Sequence, residues 1–165
     1  MLSDETRPVQ TAFRSLGDLE RAAGEWTGAS AWQTVTQELI AEFARVTGDH
    51  QWIHVDPERA RRDSPLGTTI AHGLLTLSLL PSMIHQCISF PTARMSVNYG
   101  FDRIRFVAPV PSGSRVRGRF AIESVRPIPN GADVTWRAEV QLHGGEKPAV
   151  SALWLTRVVF TVPAA

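Results

Sequence analysis

Cysteine is nearly absent: Cys87 stands alone in 165 residues, so no intramolecular disulfide forms and nothing in the chain asks for an oxidising compartment. An excess of charge of one sign is absent too. Lys and Arg number 17 against 16 Asp and Glu, a formal net charge of +1, which argues against nucleic acid or an anionic membrane as the main partner. No apolar run is long enough to span a bilayer; the richest, 70–84, is interrupted by His72 and Pro81. Residues 1–8 carry acids and no apolar stretch of the kind a secretory signal needs. Internal repeats and low-complexity tracts are lacking as well. These absences predict a soluble, cytoplasmic protein.

What the chain does hold is enough for a core. At 43% hydrophobic residues, a chain of this length buries roughly 70% of its unfolded surface. The expected organisation is one domain over 15–165 behind a mobile arm, 1–14, which shows no sustained periodicity. A short helix is predicted over 16–23 with Gly24 as its stop, then a brief strand over 32–35. Thr36 is a good N-cap for a helix through Val46, with Ile40, Phe43, Ala44 and Thr47 on one face and Gly48 closing it. Asp56-Pro57 predicts a further helix start. The stretch 71–86 is apolar nearly all round, the pattern of one buried helix. The second half turns strand-like over 95–99, 103–107, 114–125, 133–142 and 149–162. Val116, Gly118, Phe120 and Ile122 alternate with Arg115, Arg117, Arg119 and Ala121, as in a sheet with one wet face. Pro129-Asn130-Gly131 and His143-Gly144-Gly145 read as hairpin turns. Helices followed by antiparallel strands give an α+β class.

Chemistry concentrates between two predicted helices, in Gly48-Asp49-His50-Gln51-Trp52-Ile53-His54-Val55-Asp56-Pro57. A carboxylate and an imidazole that converge on one water hold it, deprotonate it and return a proton elsewhere, which makes Asp49 and His54 the candidate pair. The apolar Trp52-Ile53 between them is expected to wall the site off from bulk water. Each residue also has an ordinary use: Asp56 as a helix cap, Asp49 as a turn residue, His54 as a structural histidine. A metal set of Asp49, His50, His54 and Asp56 matches no trusted ligand spacing, so no metal is expected. A second feature, Thr69-Ile70-Ala71-His72-Gly73, leads into the buried helix. Gly73 there either lets a ligand approach a free backbone N–H or simply lets helix and sheet pack closely.

These segments, with Arg103-Ile104-Arg105-Phe106 and Pro109-Val110-Pro111-Ser112-Gly113-Ser114, resemble the MaoC-like dehydratase family. The likeness is to its nodulation protein N-like branch and its (R)-specific enoyl-CoA hydratases, over about 24–165. Gln51 stands where asparagine is usual and Trp52 where proline is usual. The resemblance implies a hot-dog fold, a long central helix wrapped by an antiparallel sheet and paired into a homodimer. It implies reversible hydration of a trans-2-enoyl-CoA to an (R)-3-hydroxyacyl-CoA, with Asp49 and His54 as the catalytic dyad. The Gly73 N–H would polarise the thioester carbonyl, and Gln51 and His72 join it as substrate-binding residues. Coenzyme A would enter as part of the substrate, with no cofactor required. Arg103, Arg105, Arg115 and Arg117 read as a solvated face. Two rival functions are a hot-dog acyl-CoA thioesterase and a non-catalytic acyl-binding subunit. The dimer is expected to form along an open sheet edge, with 149–162 or another long strand near it.

Overall fold

The computed structural model describes residues 10–161. Two short strands and a helix open it: β1 (Thr11–Ala12), α1 (Leu16–Arg21) and β2 (Trp26–Ala29). Residues 1–9 of the expected arm lie outside the described residues, but the arm does not extend to Arg14. Thr11–Ala12 pairs in parallel with β4 (Ile88–Ser89), and Phe13 is buried. A single aromatic side chain with a core to enter is enough to tie down an aperiodic segment. After β3 (Gln33–Thr34), α2 runs Gln37–Thr47, and the Thr36 hydroxyl accepts from the Leu39 N–H as its cap. Two short helices follow, α3 (Trp52–Val55) and α4 (Pro57–Asp63).

The apolar segment is two helices, not one: α5 (Gly73–Ser78) and α6 (Leu80–Cys87). Pro81 sits in the first turn of α6 and has no N–H to give to the turn before it, so the ladder breaks there. The chain then builds β5 (Ala93–Phe106), β6 (Arg115–Ile128), β7 (Gly131–Leu142) and β8 (Pro148–Phe160). The two strands expected at 95–99 and 103–107 are one strand, whose register shifts around Asn98–Gly100 and Phe101–Arg103.

The long strands form an antiparallel sheet in the order β2-β6-β7-β8-β5, with β3 also on β6. Its inner face, including Val116, Phe120, Ile122, Val134, Trp136 and Trp154, shares one core with Leu75, Leu80, Met83, Ile84 and Cys87 of the helices. Gly118 sets how closely they nest: a Cβ there would come within 2.9 Å of Met83 Cβ. A helical layer in the hollow of an antiparallel sheet is the expected hot-dog arrangement. Of the strands expected at the edge, β8 bonds to β7 on one side and to β5 on the other, which leaves the role to another long strand. The open edge is β5, where Met95, Val97, Tyr99 and Phe106 are exposed.

Candidate active site

Local backbone bonding gathers the polar residues at one end of the helical layer. Gly48, left-handed at φ 76°, ends α2 and turns the chain so that Asp49 follows at once. Segment 69–71 is then strapped between two neighbours. The Ile70 N–H donates to the Ile53 carbonyl at 3.0 Å, Ala71 N–H to Val110 O at 2.8 Å, and Ser112 N–H to Thr69 O at 2.9 Å. This strap brings His54 and His72 together although 18 positions separate them.

The hydrogen bonds fix the imidazoles. His54 Nδ1 lies 2.7 Å from the Ile70 carbonyl. A carbonyl only accepts, so Nδ1 carries the proton, and in the neutral ring Nε2 keeps its lone pair. His72 Nε2 lies 3.0 Å from the Asp49 carbonyl and 4.0 Å from its Oδ2, so Nε2 is the protonated nitrogen of that ring. The two imidazoles stack, centroids 3.8 Å apart. Asp49 Oδ1 accepts the Gln51 N–H at 3.4 Å. One donor or acceptor atom from each of Asp49, His54 and His72 falls within 4.8 Å of the other two. A water hydrogen-bonded to two such groups at ordinary length and near-tetrahedral angle holds them about 4.6 Å apart, a separation inside that limit.

Above these groups opens a pocket of about 510 Å³, whose lining includes Asp49, His54, His72, Gly73, Phe43 and Phe106. Its walls are mainly apolar, as small-molecule sites usually are. Gly73 is the first residue of α5, so its N–H has no acceptor within the helix. The packing reading of Gly73 holds, since a Cβ there would stand 2.8 Å from Phe106 Cδ1.

The structure thus brings together Asp49, His54, His72 and Gly73, and it leaves Gln51 out. Gln51 is exposed, does not line the pocket, and reaches the site only through its backbone N–H. Trp52 does not form the expected wall either; it lies half-buried with the Arg59 guanidinium 4.5 Å from its ring centroid. Phe43, Phe106, Val107 and Val110 supply that wall. The considered metal set is not assembled, because Asp56 Oδ1 accepts the Arg59 N–H at 2.9 Å as a helix cap and His50 is exposed. Asp49, His54 and His72 lie close enough to one another to hold a cation. Sequence reasoning missed Gln37, whose amide donates to the His54 carbonyl at 2.8 Å and accepts from the Thr69 hydroxyl. No pattern in the sequence marks a helix-start glutamine as a clamp.

An antiparallel sheet wrapped on a helical layer, with a carboxylate and an imidazole sharing an apolar pocket, defines a hot-dog enzyme of the dehydratase–hydratase class. The chain belongs to the MaoC-like dehydratase family, whose MaoC like domain matches residues 18–142. It is 49% identical over 148 residues to 3-hydroxyacyl-thioester dehydratase Z of Mycobacterium tuberculosis, covering 89% of this chain and 97% of that one. Nodulation protein N of Rhizobium leguminosarum is 45% identical over 152 residues, covering 88% and 92%. Among solved structures, an R-hydratase of Pseudomonas aeruginosa superposes with a TM-score of 0.69 at 22% identity, over 96% of this chain and 94% of that one. Among the described residues, no helix is long and apolar enough to cross a membrane.

Proposed function

We propose that the protein catalyses reversible (R)-specific hydration of trans-2-enoyl-CoA to (R)-3-hydroxyacyl-CoA. The observation that carries this reading is that the Asp49 carboxylate and the His54 ring come within 4.8 Å of one another and line one apolar pocket. The carboxylate oxygens of Asp49 and the Nε2 of His54 both offer lone pairs. A water between them donates one O–H to each and turns its own lone pair toward C3 of the enoyl chain. As the C3–O bond forms, the dyad takes one proton and returns one to C2. Negative charge passes meanwhile to the thioester oxygen, where the unpaired Gly73 N–H is the donor at hand. Base and acid are roles of the pair, because both members share the one water. The 3-hydroxyacyl-thioester dehydratase named among the relatives supports the reaction type.

Proton transfers and one oxyanion donor suffice, so we read the reaction as needing no cofactor beyond the coenzyme A of its substrate. We further infer a homodimer paired along β5, whose unpaired backbone and exposed Met95, Val97 and Tyr99 would be a liability in a monomer, and a cytoplasmic location. Crotonyl-CoA tests the function. Loss of the conjugated enoyl-thioester absorbance with no free thiol, and an (R)-3-hydroxybutyryl product, is the expected result. Thiol release from saturated acyl-CoA at a higher rate would make the protein a thioesterase, and neither change would make it a binding subunit. Light scattering at micromolar protein tests the dimer, which an active monomer would overturn.

A further inference from the structure

We propose that His72 is a positioning residue for the dyad, an imidazole held as its Nε2–H tautomer that fixes Asp49 and His54 relative to each other. The inference rests on the hydration reading above and reassigns His72, which the sequence placed among substrate contacts.

Three observations carry it. First, His72 touches both members of the dyad. Its Nε2–H holds the backbone carbonyl of Asp49 at 3.0 Å, and its ring lies against the His54 ring at a centroid distance of 3.8 Å and an interplanar angle of 26°. Anchoring the Asp49 carbonyl restrains where that carboxylate starts, and the flat contact restrains the plane in which the His54 lone pair points. Second, His72 is 4% exposed, so its contact area serves its neighbours more than a ligand. It precedes α5 but does not cap it, since its side chain makes no bond to the helix start. Third, its other nitrogen, Nδ1, is buried with no hydrogen-bond partner among the described residues. A buried acceptor left unsatisfied costs stability, and a phenylalanine would fill much the same space without that cost. The residue is therefore poorly explained by packing and well explained by the single donor it presents to Asp49. The structure has the form of a support whose own bonding is incomplete while the groups it supports are well aimed.

The geometry of a water shared by two acceptors is sensitive to small displacements, and misplacement of about 1 Å costs roughly 10²-fold in rate. Two substitutions separate the ring from its donor. His72→Phe keeps an aromatic face for His54 and removes the donor; His72→Gln keeps an N–H near the Nε2 position and removes the ring. The expected result is a kcat for His72→Phe lower by roughly 10²-fold with KM for crotonyl-CoA close to wild type, and substantial recovery of kcat in His72→Gln. The melting temperature of His72→Phe should stay close to that of wild type, since the orphaned nitrogen and the bond to Asp49 are lost together. Unchanged kcat in His72→Phe, or a rise in KM with kcat intact, overturns the proposal; the second outcome would return His72 to substrate binding.

A substrate-free measurement keeps this separate from the function itself. Two-dimensional ¹⁵N–¹H correlation of the imidazoles in the wild-type protein, at a pH where they are neutral, should show His72 protonated on Nε2, and the His54 signals should shift in His72→Phe. Protonation of His72 on Nδ1, or an unmoved His54, overturns the positioning role whether or not the wild-type enzyme hydrates crotonyl-CoA. Failure of the wild type to hydrate it, with the expected tautomer present, counts against the hydratase reading alone.

Discussion

The two ends of the layer between helices and sheet are held together by different forces. At the Asp49 end, directed hydrogen bonds predominate: Ile70 to Ile53, His54 to Ile70, His72 to Asp49, and Gln37 to both His54 and Thr69. At the far end, Phe13, Phe90 and Trp136 pack as a ring cluster with centroids 6.0–6.5 Å apart, beside fully buried Leu80, Met83 and Ile88. Directed bonds specify distance and angle but each adds only about 1 kcal/mol net. Burial adds more per side chain, about 1.5–3 kcal/mol, and specifies little about direction. One end is therefore built to aim, and the other to hold.

The largest test of that division falls on the dyad. Asp49→Asn and His54→Gln should each lower kcat by roughly 10²–10⁴ while changing the melting temperature little, because both keep the shape of the side chain they replace. The double substitution should cost far less than the product of the two single losses, since the residues handle one water between them. Steady-state kinetics beside thermal unfolding reads both quantities, and a single mutant turning over near the wild-type rate would remove the dyad assignment.

At the opposite end, Trp136→Ala should reverse the pattern. Trp136 is wholly buried and its indole N–H donates to the Thr156 hydroxyl at 2.8 Å, so truncation opens a cavity and strands a polar atom. The expected loss is about 3–5 kcal/mol of unfolding free energy, read from denaturant titration. Activity per folded molecule should remain close to wild type at low temperature. A Trp136→Ala protein that stays stable but loses turnover would show that the far end also aims the site.

The same division explains what the sequence disclosed. Periodicity reports burial, and burial organises the far end, so the alternation through Val116–Ile122 and the Thr36 cap of α2 stand as expected. Caps and turns obey local chemistry, and Asp56, Gly48 and Asn130 are where that chemistry puts them. The candidate pair was legible because Asp49 and His54 lie five positions apart in the sequence. Other features depend on contacts distant in sequence, which no local pattern encodes. Gln37 meets Thr69 across 32 positions, and Phe106 meets Gly73 only because β5 lies beside α5. The break before Pro81 was hidden because helices on either side of it share one apolar character, and hydrophobicity does not report continuity.

Between the two extremes lies Gln37, which belongs to the aiming end but touches no substrate-facing atom of the dyad. Gln37→Leu keeps the volume and removes both amide bonds, one of them to the backbone of His54. Leaving the Thr69 hydroxyl, itself buried, without its acceptor should cost about 1–3 kcal/mol of stability. Turnover should fall with it, by roughly tenfold if His54 shifts by a fraction of an ångström. Paired unfolding and kinetic measurements decide it: loss of stability with kcat intact would place Gln37 with the holding elements.

The smallest effect lies on neither end but on the outer face of the sheet, and it gives the comparison a control. Asp133 on β7 accepts two hydrogen bonds from Arg157 of β8, at 2.6 and 2.9 Å, and a further one from Arg126. The bond from Arg157, helped by both positive charges, holds the Asp133 carboxyl below its ordinary value of 3.8. A group whose native pKa is depressed stabilises the fold at any pH above its unfolded value. That contribution then disappears as the pH falls through the native one. Asp133→Asn should therefore be less stable than wild type at neutral pH, by a margin that shrinks as the solution is acidified below about pH 4. The pair is partly open to solvent, which screens it, so the margin should be smaller than the losses at Trp136 and Gln37 and should shrink further in high salt. Denaturant midpoints measured for both proteins across that pH range give the margin directly. Turnover should be untouched throughout, because the pair faces away from the core and the pocket. A difference between the two proteins that grows on acidification would mean that Asp133 is not the acceptor of these bonds in solution.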